Sequence, residues 1–461
     1  MRQFVLLILL ICWFQSDAQG LPEISPNMIP ETSLEDSKSF SLDEAIAFAI
    51  ENSYTAINAR RDVAIAIKKK WETVATGLPQ INGEINYQNQ LKQPVTLIPG
   101  EFSGGAAGTF VPVVFGTKQQ ANATATLTQL IFDGSYLVGL QAAKSFLRYS
   151  KNFEEKTGLE VRKGVINAYG GVLLSKESIA ILEKNIITLT DNLRETEEIY
   201  KNGLTEEENV EQLQITLLQL QTQLVNTKRL EGIAKQLFNL ALGLDVQEKV
   251  IFEDQLSTLA QEDIDLAIAG QDVKVESNVD YKIAYNFTEQ RALELKLEKS
   301  KALPSLGAFI NYGTQANSNS FTFLDSEQRW FQSSIVGASL KIPIFSSLGR
   351  SARTKQAKIA SEQAQTKLQE TIERVKLQTD TAKSDYLFSV ENYENTKKNL
   401  ALAERIEQKN QLKFKEGLST SFELRQAQTQ LYSIQQELLQ AMLDIIKNKA
   451  QLETVLNLPL K

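Results

Sequence analysis

Few side chains in this sequence are equipped for chemistry, and the missing types say more than the ones present. Across 461 residues there is no histidine and one cysteine, Cys12. An imidazole base, a thiolate nucleophile, or a zinc or copper site with Cys and His ligands is out of reach once Cys12 is lost. Carboxylates remain, and two of them on a compact domain could serve as general acid and base. The acids that stand out lie instead at helix starts: Glu206, Glu207 and Glu208 in one place, Glu423 in another. There the positive end of the helix dipole stabilises them. Phosphate loops, nucleophile constellations and EF-hand spacing do not occur in the sequence. The expectation is a protein that catalyses nothing and needs no cofactor or metal. A formal net charge of −7 and a pI near 5.2 also count against nucleic acid as a partner.

Cys12 sits in a stretch with the marks of a leader. Arg2 is followed by an apolar run from Phe4 to Phe14 and then Ser16-Asp17-Ala18, which suits signal-peptidase cleavage after Ala18. The run is shorter than the roughly 20 residues that span a bilayer. Residues 1–18 are therefore read as a signal peptide and 19–40 as an N-terminal extension. A mean hydropathy of −0.22 excludes a bundle of membrane-spanning helices.

The rest of the chain is a tandem repeat. Leu78-Pro79 with Asn86-Tyr87 recurs as Leu303-Pro304 with Asn311-Tyr312. Tyr200-Lys201-Asn202-Gly203-Leu204-Thr205 recurs as Phe414-Lys415-Glu416-Gly417-Leu418-Ser419, and Leu242 and Leu244 fall on Leu456 and Leu458 at the same offset. Repeat 1 covers 41–244, repeat 2 covers 277–461, and 245–276 links them. Each repeat shows the same order. A helix comes first, over 41–77 behind the capping box Ser41-Leu42-Asp43-Glu44, and over 278–301 in the second copy. Strand pairs follow at 80–90/122–132 and 305–314/334–344, with period-two alternation of membrane-strand length. Loops at 91–121 and 314–333 join each pair. Long helices then run over 138–200 and 348–414, free of proline and roughly 95–100 Å each. Return helices cover 206–242 and 420–456. Gly170-Gly171 predicts a local bend or flexible turn. Thr205 and Ser419 are expected to cap the return helices.

This order forces association. Four membrane-type strands cannot close a barrel, and an open edge in lipid leaves backbone groups unpaired at several kcal/mol each. A helix of roughly 95 Å cannot bury its apolar stripe within a compact domain, so it needs equally long neighbours. The fold class is mainly α with a small β part: a tandem-repeat, long-helix α-barrel carrying a composite transmembrane β-barrel. The competing readings are a periplasmic adaptor or coiled-coil spacer and, more remotely, an exported carboxylate hydrolase. An adaptor has one helical hairpin, whereas this chain has two in tandem.

From the paired Gly-Leu-Thr and Gly-Leu-Ser turns, and above all from 414–427, the chain resembles the TolC-like outer-membrane efflux protein family over roughly 40–460. The resemblance implies a homotrimer with a twelve-stranded barrel in outer-membrane lipid, a helical tunnel through the periplasm, and an equatorial belt built in part by 245–276. It implies that a periplasmic adaptor, and through it an inner-membrane pump, meets tips formed by Gly203, Leu204, Thr205, Gly417, Leu418 and Ser419. It also implies an acidic ring at the periplasmic entrance, for which Glu423 qualifies. The family's second acid is Gln426 here, and the counterpart of Glu423 in repeat 1 is Asn209. Tyr87, Tyr312, Trp330 and Phe331 are candidates for the aromatic belt at the membrane interface. The transported substrate is not legible.

Overall fold

The computed structural model describes residues 38–270 and 274–458. The expected leader, with Cys12, and most of the extension 19–40 lie outside the described residues. The chain runs β1 (Lys38–Phe40), α1 (Leu42–Asn52), α2 (Tyr54–Ala75), β2 (Gln80–Asn89), β3 (Val95–Pro99), β4 (Phe110–Val114), β5 (Gln119–Asp133), α3 (Gly134–Lys201) and α4 (Glu207–Leu242). The link adds β6 (Val250–Phe252), α5 (Leu256–Glu262) and α6 (Leu266–Ala269). Repeat 2 follows as α7 (Val279–Ser300), β7 (Ser305–Ser318), β8 (Phe331–Lys341), α8 (Gly349–Lys415) and α9 (Ser421–Leu456).

The capping box forms as the sequence requires: the Ser41 hydroxyl accepts from the Glu44 amide, and the Glu44 carboxylate accepts from the Ser41 amide. The single helix expected over 41–77 is interrupted. Ser53 leaves helical space (φ −62°, ψ 143°), ends α1, and caps α2 with its own side chain. The turn after α4 closes at this break, with Gly243 against the Asn52 carbonyl and the Ser53 Cα. The 68-residue α3 runs through Gly170-Gly171 without a turn. Gly170 is small because the Leu443 methyl of α9 packs there, 2.6 Å from where a Cβ would stand.

The two strand pairs merge into one antiparallel sheet of order β2-β5-β7-β8. Its central contact joins the repeats, β5 of the first against β7 of the second. Cross-strand register sets Ile81, Leu127, Ile310 and Val336 side by side on one face. The adjacent row, Asn82, Thr126 and Asn311 with Ile335, lies on the other, where the Asn311 amide donates to the Thr126 hydroxyl at 2.7 Å. One face is mainly apolar and the other mainly polar, with Gln332 and Ser334 of β8 on the first and Phe331 and Ile335 on the second. The strands are longer than alternation alone suggests: β5 starts at Gln119 and β8 at Phe331. The loop 91–121 contains a two-stranded ribbon, β3 paired with β4.

Below the sheet, the long helices rise about 100 Å each. Asp133 starts α3 early, accepting from the Ser135 and Tyr136 amides at 2.6 and 3.1 Å. Buried positions of α9 recur every seven residues, at Leu424, Leu431, Leu438, Ile445 and Leu452. In α8 the same interval links Val375, Ala382, Ser389, Thr396 and Ala403. A strict seven-residue repeat holds the seam only if the helices supercoil left-handedly. Halfway along, a belt packs onto the helices. There β1 pairs in parallel with β6, and Tyr169, Phe238 and Phe252 form a ring cluster with centroids 4.9–5.6 Å apart.

Candidate functional site: the helical tips and the barrel sheet

Both helical hairpins turn through the same hydrogen-bonded motif. Gly203 takes φ +73° and Gly417 φ +69°, a backbone region that glycine occupies without penalty. The Gly203 amide donates to the Tyr200 carbonyl at 2.8 Å and the Leu204 amide to Ile199 at 3.1 Å. In repeat 2, Gly417 donates to Phe414 at 3.0 Å and Leu418 to Lys413 at 2.7 Å. This pair of bonds satisfies the orphan carbonyls of a helix end. Leu204 and Leu418, which follow the glycines, are each 78% exposed. Neither leucine is used to staple its turn.

The caps differ from the sequence expectation by one residue. Thr205 accepts from the Asn209 amide side chain at 3.1 Å, while Glu206 is the N-cap of α4 without a side-chain cap bond. In repeat 2 the cap is Thr420, not Ser419, and it forms a full capping box with Glu423. The Glu423 carboxylate accepts from the Ser419 hydroxyl at 2.6 Å and the Thr420 amide at 3.0 Å. The Ser419 bond, then that of the Thr420 amide, holds the Glu423 carboxyl below its ordinary pKa. The signature Thr-x-x-Glu was present in the sequence and marks this second role. Asn209 is also placed between hairpins, for its carbonyl oxygen accepts from the Ser421 hydroxyl of repeat 2. Gln426 is exposed and lines an open groove of about 1380 Å³ between α4 and α9, with Gln212, Gln219 and Gln430.

Just above the tips lies a polar seam that the sequence reading did not single out. Asn185 of α3 donates to Gln435 of α9 at 2.8 Å, and Ser178 to Gln436 at 2.9 Å. Nearer the tips, buried Gln428 reaches Glu407 of α8 at 3.5 Å. The Asn192 amide nitrogen, the Gln428 carbonyl oxygen and the Tyr432 hydroxyl are buried without a hydrogen-bond partner. Burial first, and the Glu407 charge second, push the Tyr432 hydroxyl pKa up. The only signal in the sequence was the intrusion of Glu407 and Gln428 into heptads otherwise filled by apolar or small residues.

At the far end of the sheet, the four candidate aromatics do not form one set. Tyr87 packs edge-on against Phe321 and Phe323 at 5.6 and 5.7 Å, and Trp330 stands 6.5 Å from Phe323. These gather on the apolar face beside Ala121 and Ala316. Tyr312 shares that face but lies deeper along the strands, opposite Ala125 and Ser334. Phe331 pairs with Gln315 in the row of Asn86 and Asn122, on the polar face. Phe321 and Phe323 were missed because the loop that carries them has no periodicity. Among the described residues, no group of three or more His, Cys, Asp or Glu side chains is arranged to hold a metal ion.

Residues 288–458 match the family model described as outer membrane efflux protein. The match is confined to the C-terminal part of the chain, and that region is what resembles the family. Solved structures extend the likeness beyond that region. The outer membrane protein VceC of Vibrio cholerae is 14% identical, with 90% of this chain and 96% of that chain covered at a TM-score of 0.71. The CmeC outer membrane channel of Campylobacter jejuni is 14% identical, with 95% and 93% covered at 0.71. CusC, described in terms of transmembrane channel formation, is 15% identical, with 90% and 91% covered at 0.72. At these identities the three proteins share the fold of this chain rather than its particulars. No curated protein matches its sequence. The matched region takes in β7, β8, α8 and α9, and the N-terminal half supplies the second hairpin and the second strand pair of the same fold.

Proposed function

We propose that the chain is one of three identical subunits of an exit duct, which carries solutes delivered by an inner-membrane pump through a periplasmic adaptor and out across the outer membrane. The observation that carries this reading is the sheet. Among the described residues its outer strands β2 and β8 have no second neighbour, yet Ile81, Leu127, Ile310 and Val336 carry an apolar row across all four strands. Edges of this kind in lipid require partners, and identical copies supply them by pairing β2 of one with β8 of the next. Three copies close twelve strands and let the two long and two return helices of each join a common tunnel. The duct does no chemistry; the pump supplies the energy.

The tips serve adaptor docking. Leu204 and Leu418 are exposed apolar side chains on two equivalent turns, free of any packing duty within the chain. Leu418→Asp therefore leaves trimer assembly and membrane insertion intact, since exposed substitutions change stability by under about 0.5 kcal/mol. In the docked state the new carboxylate is desolvated without a partner, and export is lost. Trimer yield measured beside adaptor cross-linking at position 419 decides the matter. Lost trimer, or unimpaired export, defeats the docking role.

Glu423 keeps its charge in the capping box and remains exposed at the tip. With Gln426 and Asn209 neutral, an acidic entrance ring rests on Glu423 alone. Planar-bilayer recordings of Glu423→Gln show weaker cation preference if that ring lines the pore; an unchanged reversal potential removes it. Native mass spectrometry of the extracted protein tests the assembly as a whole, and a monomer there overturns the duct.

A further inference from the structure

The ribbon β3–β4 continues the β2–β5 hairpin past the end of the barrel sheet. The ladder runs from Asn89↔Gln119 through the Gln90 amide, which donates to the Lys118 carbonyl at 2.8 Å, and resumes at Val95↔Val114. Register places Val95, Leu97, Pro99, Phe110, Pro112 and Val114 on a single face of the ribbon. Every one of them is exposed and none is polar. On the reverse face Ile98, Val111 and Val113 are partly covered. A hairpin outside the sheet with a bare apolar face of this kind needs a partner, because an apolar patch on a free surface marks an interaction site.

We infer that this face packs against the neighbouring subunit, forming an inter-subunit collar at the outer mouth of the duct. The inference rests on the trimeric reading above and adds a contact beyond the barrel. Two observations select a second copy as the occupant. First, β3 extends directly from β2, the edge strand whose missing partner is β8 of the next copy. Second, the segment that enters β8 from outside, residues 319–330, carries exposed Phe321 and Leu324. When β8 of one subunit pairs with β2 of the next, those side chains arrive beside the ribbon. The contact is continuous with the strand pairing, and the ten ribbon residues contain no charge to oppose it.

The test places a nitroxide at position 97 by Leu97→Cys in a Cys12→Ala chain reconstituted in lipid, with trimer confirmed separately by native mass spectrometry. Two other positions calibrate the result. Glu101→Cys, at the ribbon turn, reports water, and Ile310→Cys, on the apolar face of the sheet, reports lipid. In the trimer, the label at 97 collides several-fold less with an aqueous relaxant than the label at 101, and several-fold less with oxygen than the label at 310. Dissociation to monomers restores aqueous access at 97. Leu97→Asp lowers the temperature at which the trimer falls apart. A trimer whose position 97 behaves like 101 or like 310, or stays protected in the monomer, overturns the collar while leaving the duct standing. Failure to find any trimer overturns both.

Discussion

Glycine at a helix end can be needed for its backbone, for its lack of volume, or for both, and this chain separates the cases. Gly203 and Gly417 hold positive φ in open space, with nothing near the site of a missing Cβ. Gly243 holds φ +81° with the Asn52 carbonyl in the way. Gly417→Ala thus costs only the left-handed backbone term, roughly 1–2 kcal/mol, and shows as faster hydrogen exchange at the Leu418 amide. Gly243→Ala adds a collision with backbone that cannot move aside, and it lowers the melting temperature of the belt as well. Equal effects of the two substitutions would contradict this account. Glu423 gives a pH signature at the same scale. Its pKa is depressed in the folded chain by the Ser419 hydroxyl and the Thr420 amide. The stability it contributes is therefore present above the ordinary glutamate pKa and is lost as pH falls through the lower folded value. Protection of the Thr420 amide, corrected for intrinsic exchange rates, declines through that acid range and is independent of pH in Glu423→Ala.

Between elements, two tyrosines in long-helix seams show how partners decide the worth of a buried hydroxyl. The Tyr169 hydroxyl shares its one proton between the Phe40 carbonyl and the Asp254 carboxylate, each at 2.9 Å, and accepts from the Asp254 amide. Tyr432 in α9 has no partner. Tyr169→Phe leaves the Asp254 amide unpaired, since the Phe40 carbonyl still accepts from the Glu253 amide, and costs about 1–3 kcal/mol, whereas Tyr432→Phe is neutral or stabilising. Chemical denaturation of both variants checks the contrast, and a loss of stability in Tyr432→Phe would refute it. The elements themselves were legible because their signals are local: alternation for the strands, absence of proline for the long helices, the recurring Gly-Leu for the tips. What escaped depends on distant residues. The break at Ser53 meets the turn at Gly243, and the polar seam joins Asn185 to Gln435 across 250 positions. The caps at Glu206 and Thr420 were misplaced by one residue because the hydrogen-bonded turn takes up the leucine after each glycine.

In the whole molecule, the division of the sheet into an apolar and a polar face has a direct mutational consequence. Ile310 and Asn311 are neighbours in β7 but stand on opposite faces. Ile310→Arg puts a guanidinium into lipid at about 2–4 kcal/mol per subunit near the bilayer midplane, and three copies multiply the cost. Heat-resistant trimer disappears from outer-membrane fractions. Asn311→Arg faces the aqueous lumen and inserts at normal yield, with altered conductance. The reverse pattern would mean that the faces are assigned the wrong way round.

The pairing of β5 with β7 also orders events in time. Thr126 and Asn311, bonded across that junction, are 185 positions apart. All of α3, α4 and the link from β6 to α6 lies between them in the chain. As the polypeptide emerges N-terminus first, β2 and β5 pair early and then wait, their outer edges bare, until a helical hairpin and half the belt have folded and brought β7 alongside. Contacts of such long sequence separation form slowly, and the waiting edge is open to aggregation. Each subunit must therefore be kept from its fellows while it matures, and commitment to lipid comes last, when the sheet is whole and only the β2 and β8 edges remain to be matched.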